Sequence, residues 1–193
     1  MARLIIGLNA YAGAGKSAVA QRLIDEHGFV RVKFAKYLKA ATRGLLQSIG
    51  FSDDIVDQMI EGALKEEYIQ GLDTTPRELM QWLGEGARVR FGENFWVDKA
   101  VRDILAMPSD SRIVVDDLRY ENELIAIKAV GGYAVRVDRP GVGPVNDHVS
   151  ELSMPDDLMD GVLTNDAGLE ELHKDADDIA FAFMDLLGEW TAA

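Results

Sequence analysis

Two rhythms of apolar residues alternate along this chain, and each change of rhythm marks an element. A compact run, Leu4, Ile5, Ile6 and Leu8, has the length of a short buried strand near 3–8. The rhythm then turns helical. Val19, Ala20, Leu23 and Ile24 share one face of a helix over 16–27, and Gly28 ends it in the position after the C-cap that favours glycine. Residues 29–34 read Phe, Val, Arg, Val, Lys, Phe, a period of two that predicts a second strand.

From Ala35 to about Glu93 the pattern is helical. Leu38, Leu45, Leu46 and Ile49 belong to one segment and Ile55, Met59, Ile60 and Leu64 to the next, with Gly50 dividing them. A third helix opens on Thr75-Pro76-Arg77-Glu78, a capping box with proline at the first helical position. A fourth covers about 96–107. Pro108-Ser109-Asp110 then leads into an apolar strand at 112–116, a helix at 122–130 halted by Gly131-Gly132, and a strand at 133–138. A loop from Arg139-Pro140-Gly141 to about Pro155 precedes a short strand at 161–164. Leu169, Leu172, Ala176, Ile179, Phe183 and Leu186 give the last helix its amphipathic face. Strands separated by helices predict an α/β chain with a five-stranded, mostly parallel sheet. The expected organisation is a single domain over 1–193, with the helices of about 36–107 as an insert covering the strands' C-terminal edge.

Composition narrows the chemistry. The 193 residues, 48% hydrophobic and 27% charged, suffice for one sizeable core. Twenty basic against 33 acidic residues give a net charge of −13, which opposes stable binding to nucleic acid or an anionic membrane. An anionic ligand must therefore be held by local Lys and Arg. There is no cysteine and there are three scattered histidines, so disulfides, thiol catalysis and cysteine-based zinc sites are excluded. A cytoplasmic location fits. The N-terminus imitates a signal peptide, but Asn9 interrupts the apolar run, and no stretch reaches the roughly 20 apolar residues of a membrane span.

The most specific local signal joins the first strand to the first helix. Ala12-Gly13-Ala14-Gly15-Lys16-Ser17-Ala18 is a small-residue loop closing on Gly-Lys-Ser, the arrangement of a P-loop. Backbone N–H groups there wrap phosphate, Lys16 neutralises β/γ oxygens and the Ser17 hydroxyl can ligate Mg²⁺. The strict motif begins with glycine where this chain has Ala10, a substitution that strains the loop if the position needs φ > 0. A nucleoside triphosphate is the expected ligand. The strand at 112–116 ends in a second signal, the carboxylates Asp116 and Asp117. One of the two is expected to serve Mg²⁺ at the C-terminal end of the sheet, in the manner of a Walker-B aspartate.

Further stretches resemble the deoxynucleoside monophosphate kinases of tailed phages. Residues 117–123, Asp-Leu-Arg-Tyr-Glu-Asn-Glu, resemble the signature D-x-R-[FY]-x-N-E, and Arg139-Pro140-Gly141 followed by His148-Val149-Ser150-Glu151 resembles an R-P-G and H-x-S-E pair. Residues 77–84 resemble R-x-L-M-Q-x-L-G, and residues 34–39 resemble F-A-x-P-L-K with Tyr37 in place of proline. The resemblance covers nearly the whole chain in order. It implies a three-layer P-loop fold related to adenylate kinase, a lid-like region near 117–125, and ATP- and Mg²⁺-dependent transfer to a deoxynucleoside 5′-monophosphate. For a phage-encoded enzyme it implies the host cytoplasm, with nucleotides as partners and a homodimer allowed.

The roles it suggests are physically reasonable. Lys16, Asp117 and Arg119 would be catalytic, with Arg139 joining the loop on the ATP phosphates. Lys36, Arg77, Arg88 and Arg119, with Lys39 as a further cation, would meet the acceptor phosphate, where Arg offers a two-point fork. Gln81 offers a base edge hydrogen bonds. Trp96 offers either a stacking plane or core packing. His148 and Glu151 would order the loop or position substrate. Other acceptors remain open: dephospho-coenzyme A, a small alcohol or a modified base in DNA. So does a nucleotide-binding switch without catalysis.

Overall fold

The computed structural model of the chain describes residues 3–144 and 154–188. Two compact units emerge, one of residues 1–33 and 100–193 and the other of residues 34–99.

The first unit is built on a five-stranded sheet of β1 (Leu4–Asn9), β2 (Val30–Val32), β3 (Arg112–Leu118), β4 (Tyr133–Asp138) and β5 (Gly161–Thr164), in the order β2-β3-β1-β4-β5. Every pairing is parallel. β1 is central, and successive strands are added on opposite sides of it: β2 and β3 on one side, β4 and β5 on the other. In open α/β sheets ligands collect at the carboxyl ends beside such a reversal, and β1 ends there.

Side chains of β1 alternate between two helical layers. Leu4, Ile6 and Leu8 pack with Val19, Ala20 and Leu23 of α1 (Lys16–His27) and with Leu172, Ala176, Ala180 and Phe183 of α7 (Leu169–Leu186). On the other face Ile127 of α6 (Glu121–Ala129) lies so close that a Cβ at Gly7 would sit 3.6 Å from it. The sheet is thus the middle of three layers, as expected.

β2 is shorter than the 29–34 expected. It is an edge strand that pairs only with β3, and Phe29 and Phe34 are buried just outside the ladder. β3 runs two residues beyond 116, which places both carboxylates within it.

The second unit holds α2 (Lys36–Ser48), α3 (Asp53–Glu61), a 3₁₀ turn at Ala63–Glu66 and α4 (Pro76–Phe91). Leu46, Val56, Met59, Ile60, Ile69, Leu79 and Met80 form its core. The capping box is made: Glu78 N–H donates to Thr75 Oγ1 at 3.2 Å, and Thr75 N–H donates to Glu78 Oε2 at 2.9 Å. The Thr75 backbone N–H, and after it the Thr74 hydroxyl, holds the Glu78 carboxyl below its ordinary value. The unit ends earlier than the insert expected to 107, inside α5 (Val97–Ala106). Arg3 explains why: its Nη2 donates to Leu105 O and Met107 O at 2.9 and 2.7 Å, tying the end of α5 to the start of β1.

Candidate active site

Between Asn9 and Lys16 the chain must reverse from strand to helix in a few residues. Gly13 and Gly15 take φ of 82° and 111°, which only glycine adopts without strain. Ala10 does not have positive φ, so the departure from the strict motif costs the loop no backbone strain. Ala12, Gly13 and Ser17 are exposed while Ala14 is buried, so the loop shows its small residues outward around an inner turn. That turn is closed by Ala14 N–H donating to Tyr11 O at 3.2 Å.

The helix that follows is left positively biased at its start. The N-cap Gly15 supplies no side-chain acceptor and the first turn of α1 has no acidic residue, whereas an ordinary helix tends to place a carboxylate or hydroxyl there. Lys16, half-buried, and Ser17 occupy that turn. The arrangement suits an anion supplied from outside the chain.

Asp116 and Asp117 stand on β3, the strand paired with β1 on the side away from β4. Pairing of β1 with β3 runs from Leu4↔Arg112 to Gly7↔Val115 and resumes at Asn9↔Leu118, so β3 carries one extra residue opposite β1 at the aspartates. Asn9 bridges the irregularity, its Nδ2 donating to Leu118 O at 3.1 Å. The two carboxylates therefore differ in environment. Asp116 is buried, its Oδ2 lies 3.2 Å from Arg31 Nε, and its Oδ1 has no hydrogen-bond partner among the described residues. Asp117 is half-buried.

Two residues further, the Arg119 backbone is held by a buried carboxylate to which the sequence reading gave no role of its own. Glu123 Oε2 accepts from Arg119 N–H at 2.8 Å and from Tyr120 N–H at 3.1 Å. It acts as the third residue of α6, a capping acid whose signal was its spacing from Tyr120. The stretch 117–125, expected to be lid-like, is the end of β3 and the first turns of α6. Glu123 and Leu124 are buried there.

Arg139 lies just past β4, and its Nη1 donates to Gly13 O at 3.2 Å. Asn165, just past β5, was not anticipated. Its Nδ2 donates to Ala14 O at 2.9 Å. The loop, Asp116, Asp117, Arg119, Arg139 and Asn165 all belong to the first unit.

The second unit carries Lys36, Arg77, Gln81, Arg88 and Trp96. Arg77, Gln81 and Arg88 fall on one face of α4 by their spacings of four and seven. Gly84 lies in the same stripe, where a Cβ would stand 3.2 Å from Leu38 Cδ2, so its absence lets α2 approach. Lys36 is exposed in the first turn of α2. Arg77 Nε pairs with Glu66, Lys39 Nζ pairs with Glu61, and Arg88 Nη1 donates to Glu93 O at 3.4 Å. Trp96 is buried, donates its Nε1 proton to Gly84 O at 3.1 Å and meets Phe95 edge-on. Of the two roles open to it, that geometry is the packing one. His148 and Glu151 lie outside the described residues.

Known proteins resemble this chain in sequence and in fold. Residues 54–176 match the family model described as deoxynucleotide monophosphate kinase. A protein of Acanthamoeba polyphaga mimivirus named for the same activity is 29% identical over 185 residues, 88% of this chain and 92% of that protein. The deoxynucleotide monophosphate kinase of Escherichia phage RB69 is 31% identical over 148 residues, 75% of this chain but 61% of the phage enzyme. Among solved structures, dephospho-CoA kinase from Campylobacter jejuni superposes with a TM-score of 0.51 at 12% identity, over 93% of this chain and 95% of that one. That last likeness is one of fold.

Proposed function

This chain belongs to the deoxynucleotide monophosphate kinase family, and from that membership we propose that it transfers the γ-phosphoryl group of ATP to a deoxynucleoside 5′-monophosphate: dNMP + ATP → dNDP + ADP. The observation that carries the reading is the extent of the family match. It runs from α3 through α4 with its arginine face, β3 with its carboxylates, and on into α7.

Phosphoryl transfer asks a protein mainly to position two anions and to neutralise charge. In this reading the first unit holds the donor. Backbone N–H groups of residues 12–18 cradle the ATP phosphates, and Lys16 meets the charge that develops between β and γ phosphorus. Arg139 adds a cation beside the loop. Arg119 serves the transferred group as a catalytic residue. Arg77, Arg88 and Lys36 hold the acceptor phosphate, and Gln81 meets the base.

Asp116 supports a Mg²⁺ site. A buried carboxylate oxygen without a hydrogen-bond partner is costly unless a cation or water meets it, and Oδ1 is such an atom. Asp116, Asp117 and the Ser17 hydroxyl would hold the ion, all oxygen donors as Mg²⁺ prefers. When bound, the metal neutralises phosphate charge.

The test is ADP formation with a panel of deoxynucleoside and ribonucleoside monophosphates. The expected result is ADP release that depends on a dNMP and matches dNDP formed. Hydrolysis of ATP at the same rate without any monophosphate would overturn the assignment.

A further inference from the structure

The phosphate loop is held from behind by the two strand ends on one side of β1. β4 and β5 pair up to Asp138↔Thr164, and the ladder extends one residue further, Asn165 N–H donating to Asp138 O at 2.7 Å. Immediately past those last paired residues stand Arg139 and Asn165. Their side chains donate to consecutive loop carbonyls: Arg139 Nη1 to Gly13 O at 3.2 Å and Asn165 Nδ2 to Ala14 O at 2.9 Å. The second contact is tightly built. A Cβ at Gly15 would lie 2.7 Å from Asn165 Nδ2 and 2.9 Å from Leu172 Cδ2, so the loop is pressed against Asn165 at the residue where α1 begins.

We infer that Asn165 is a positioning residue for the phosphate loop: by holding Ala14 O it fixes the Ala14–Gly15 peptide so that the Gly15 N–H is turned toward the nucleotide phosphates. A trans peptide carries its C=O and N–H in opposite directions. With the carbonyl drawn to Asn165, the Gly15 N–H is directed away from it. Gly15 is the N-cap of α1 at φ 111°, a conformation open to glycine that has no side chain of its own to set the plane. Asn165 supplies that constraint from just past β5. Arg139 holds the carbonyl of the preceding peptide, whose Ala14 N–H is already taken by Tyr11 O, and keeps its charge beside the loop. Preorganised donors act on phosphate charge without reorganising during the reaction, so the device acts on the donor nucleotide and not on the acceptor.

This inference rests on the reading of residues 12–18 as a phosphate site, and inorganic tripolyphosphate separates the two because it offers phosphates and no base. Its binding to the wild-type chain and to Asn165→Leu, which keeps bulk but deletes the donor, is measured by calorimetry beside steady-state kinetics. The expected result is weaker tripolyphosphate binding and a higher KM for ATP, each by about 3- to 15-fold, the scale of one hydrogen bond, with the KM for dNMP unchanged. No tripolyphosphate binding by the wild-type chain would remove the phosphate-site reading itself. Binding by wild type and variant alike would overturn the positioning role, whether or not preference between ATP and GTP shifts. Asn165→Ala is the second variant. If neither variant folds, Asn165 sustains the fold and not the loop's aim, and the inference fails.

Discussion

At the scale of single residues the proposed donor site is organised by what is missing from it. The first turn of α1 lacks an acid, its N-cap lacks a capping side chain, and Asp116 Oδ1 lacks a hydrogen-bond partner among the described residues. Lys16 is the cation placed in that field. Lys16→Ala is expected to lower kcat by on the order of 10²-fold or more, because charge that develops in the transition state is left unneutralised. Turnover unchanged in this variant would mean that the loop does not handle the γ-phosphate. The two aspartates can be ranked in the same way. Asp116 is buried with a bare oxygen, whereas Asp117 is half-buried. Asp116→Asn should therefore raise the Mg²⁺ concentration for half-maximal activity more than Asp117→Asn does. The opposite order in a Mg²⁺ titration would assign the metal to Asp117. Sequence alone left these residues as rivals, since the extra residue that separates their environments arises only when β3 pairs with β1.

At the scale of elements, the parts of the chain that were legible are those with local causes. The capping box of α4 is encoded within four residues, Thr75 to Glu78, and forms as read. Thr75→Ala should cost about 1 kcal/mol of stability, measured as a shift in the denaturant midpoint. No shift would mean that Pro76 and tertiary packing alone fix the helix start. The ends of β4 and β5 were also read correctly, yet Asn165 was missed. Its partner Ala14 lies 151 residues away, and nothing in its immediate neighbours announces the contact. Glu123 shows the intermediate case: the family signature contains it, but its capping of Arg119 and Tyr120 required the turn to be seen. That turn fixes the Arg119 backbone, and the acceptor role proposed for its side chain makes a prediction. Arg119→Ala is expected to lower kcat/KM for dNMP by about 2–4 kcal/mol of transition-state binding, with ATP affinity little changed. Arg119→Lys should recover only part, lacking the fork. Loss of ATP binding with dNMP saturation intact would move Arg119 to the donor.

At the scale of the whole molecule, the first and last helices of the first unit are joined by one polar cluster, and acid should release it. Arg22 and His27 lie on α1 and Asp177 on α7. Asp177 accepts from Arg22 Nε at 3.0 Å and from Arg22 Nη2 at 2.8 Å, and His27 Nε2 lies 2.7 Å from its Oδ1. Glu26, 3.2 Å from Arg22 Nη1, shares the guanidinium, and Phe181 closes the cluster edge-on against His27. The Arg22 hydrogen bonds outweigh desolvation and hold the Asp177 carboxyl below its ordinary value of 3.8, with His27 adding to the effect. A carboxylate depressed on folding contributes stability that is present above the unfolded value and lost as pH falls through the folded one, because the unfolded chain binds the proton first. The wild-type chain should therefore exceed Asp177→Asn in urea midpoint at neutral pH. That advantage should begin to shrink as pH drops through about 3.8 and vanish at lower pH, since protonation then does to Asp177 what the substitution does. A difference between the two chains that stays constant across the acid range would show that Asp177 joins α1 to α7 by shape and not by charge.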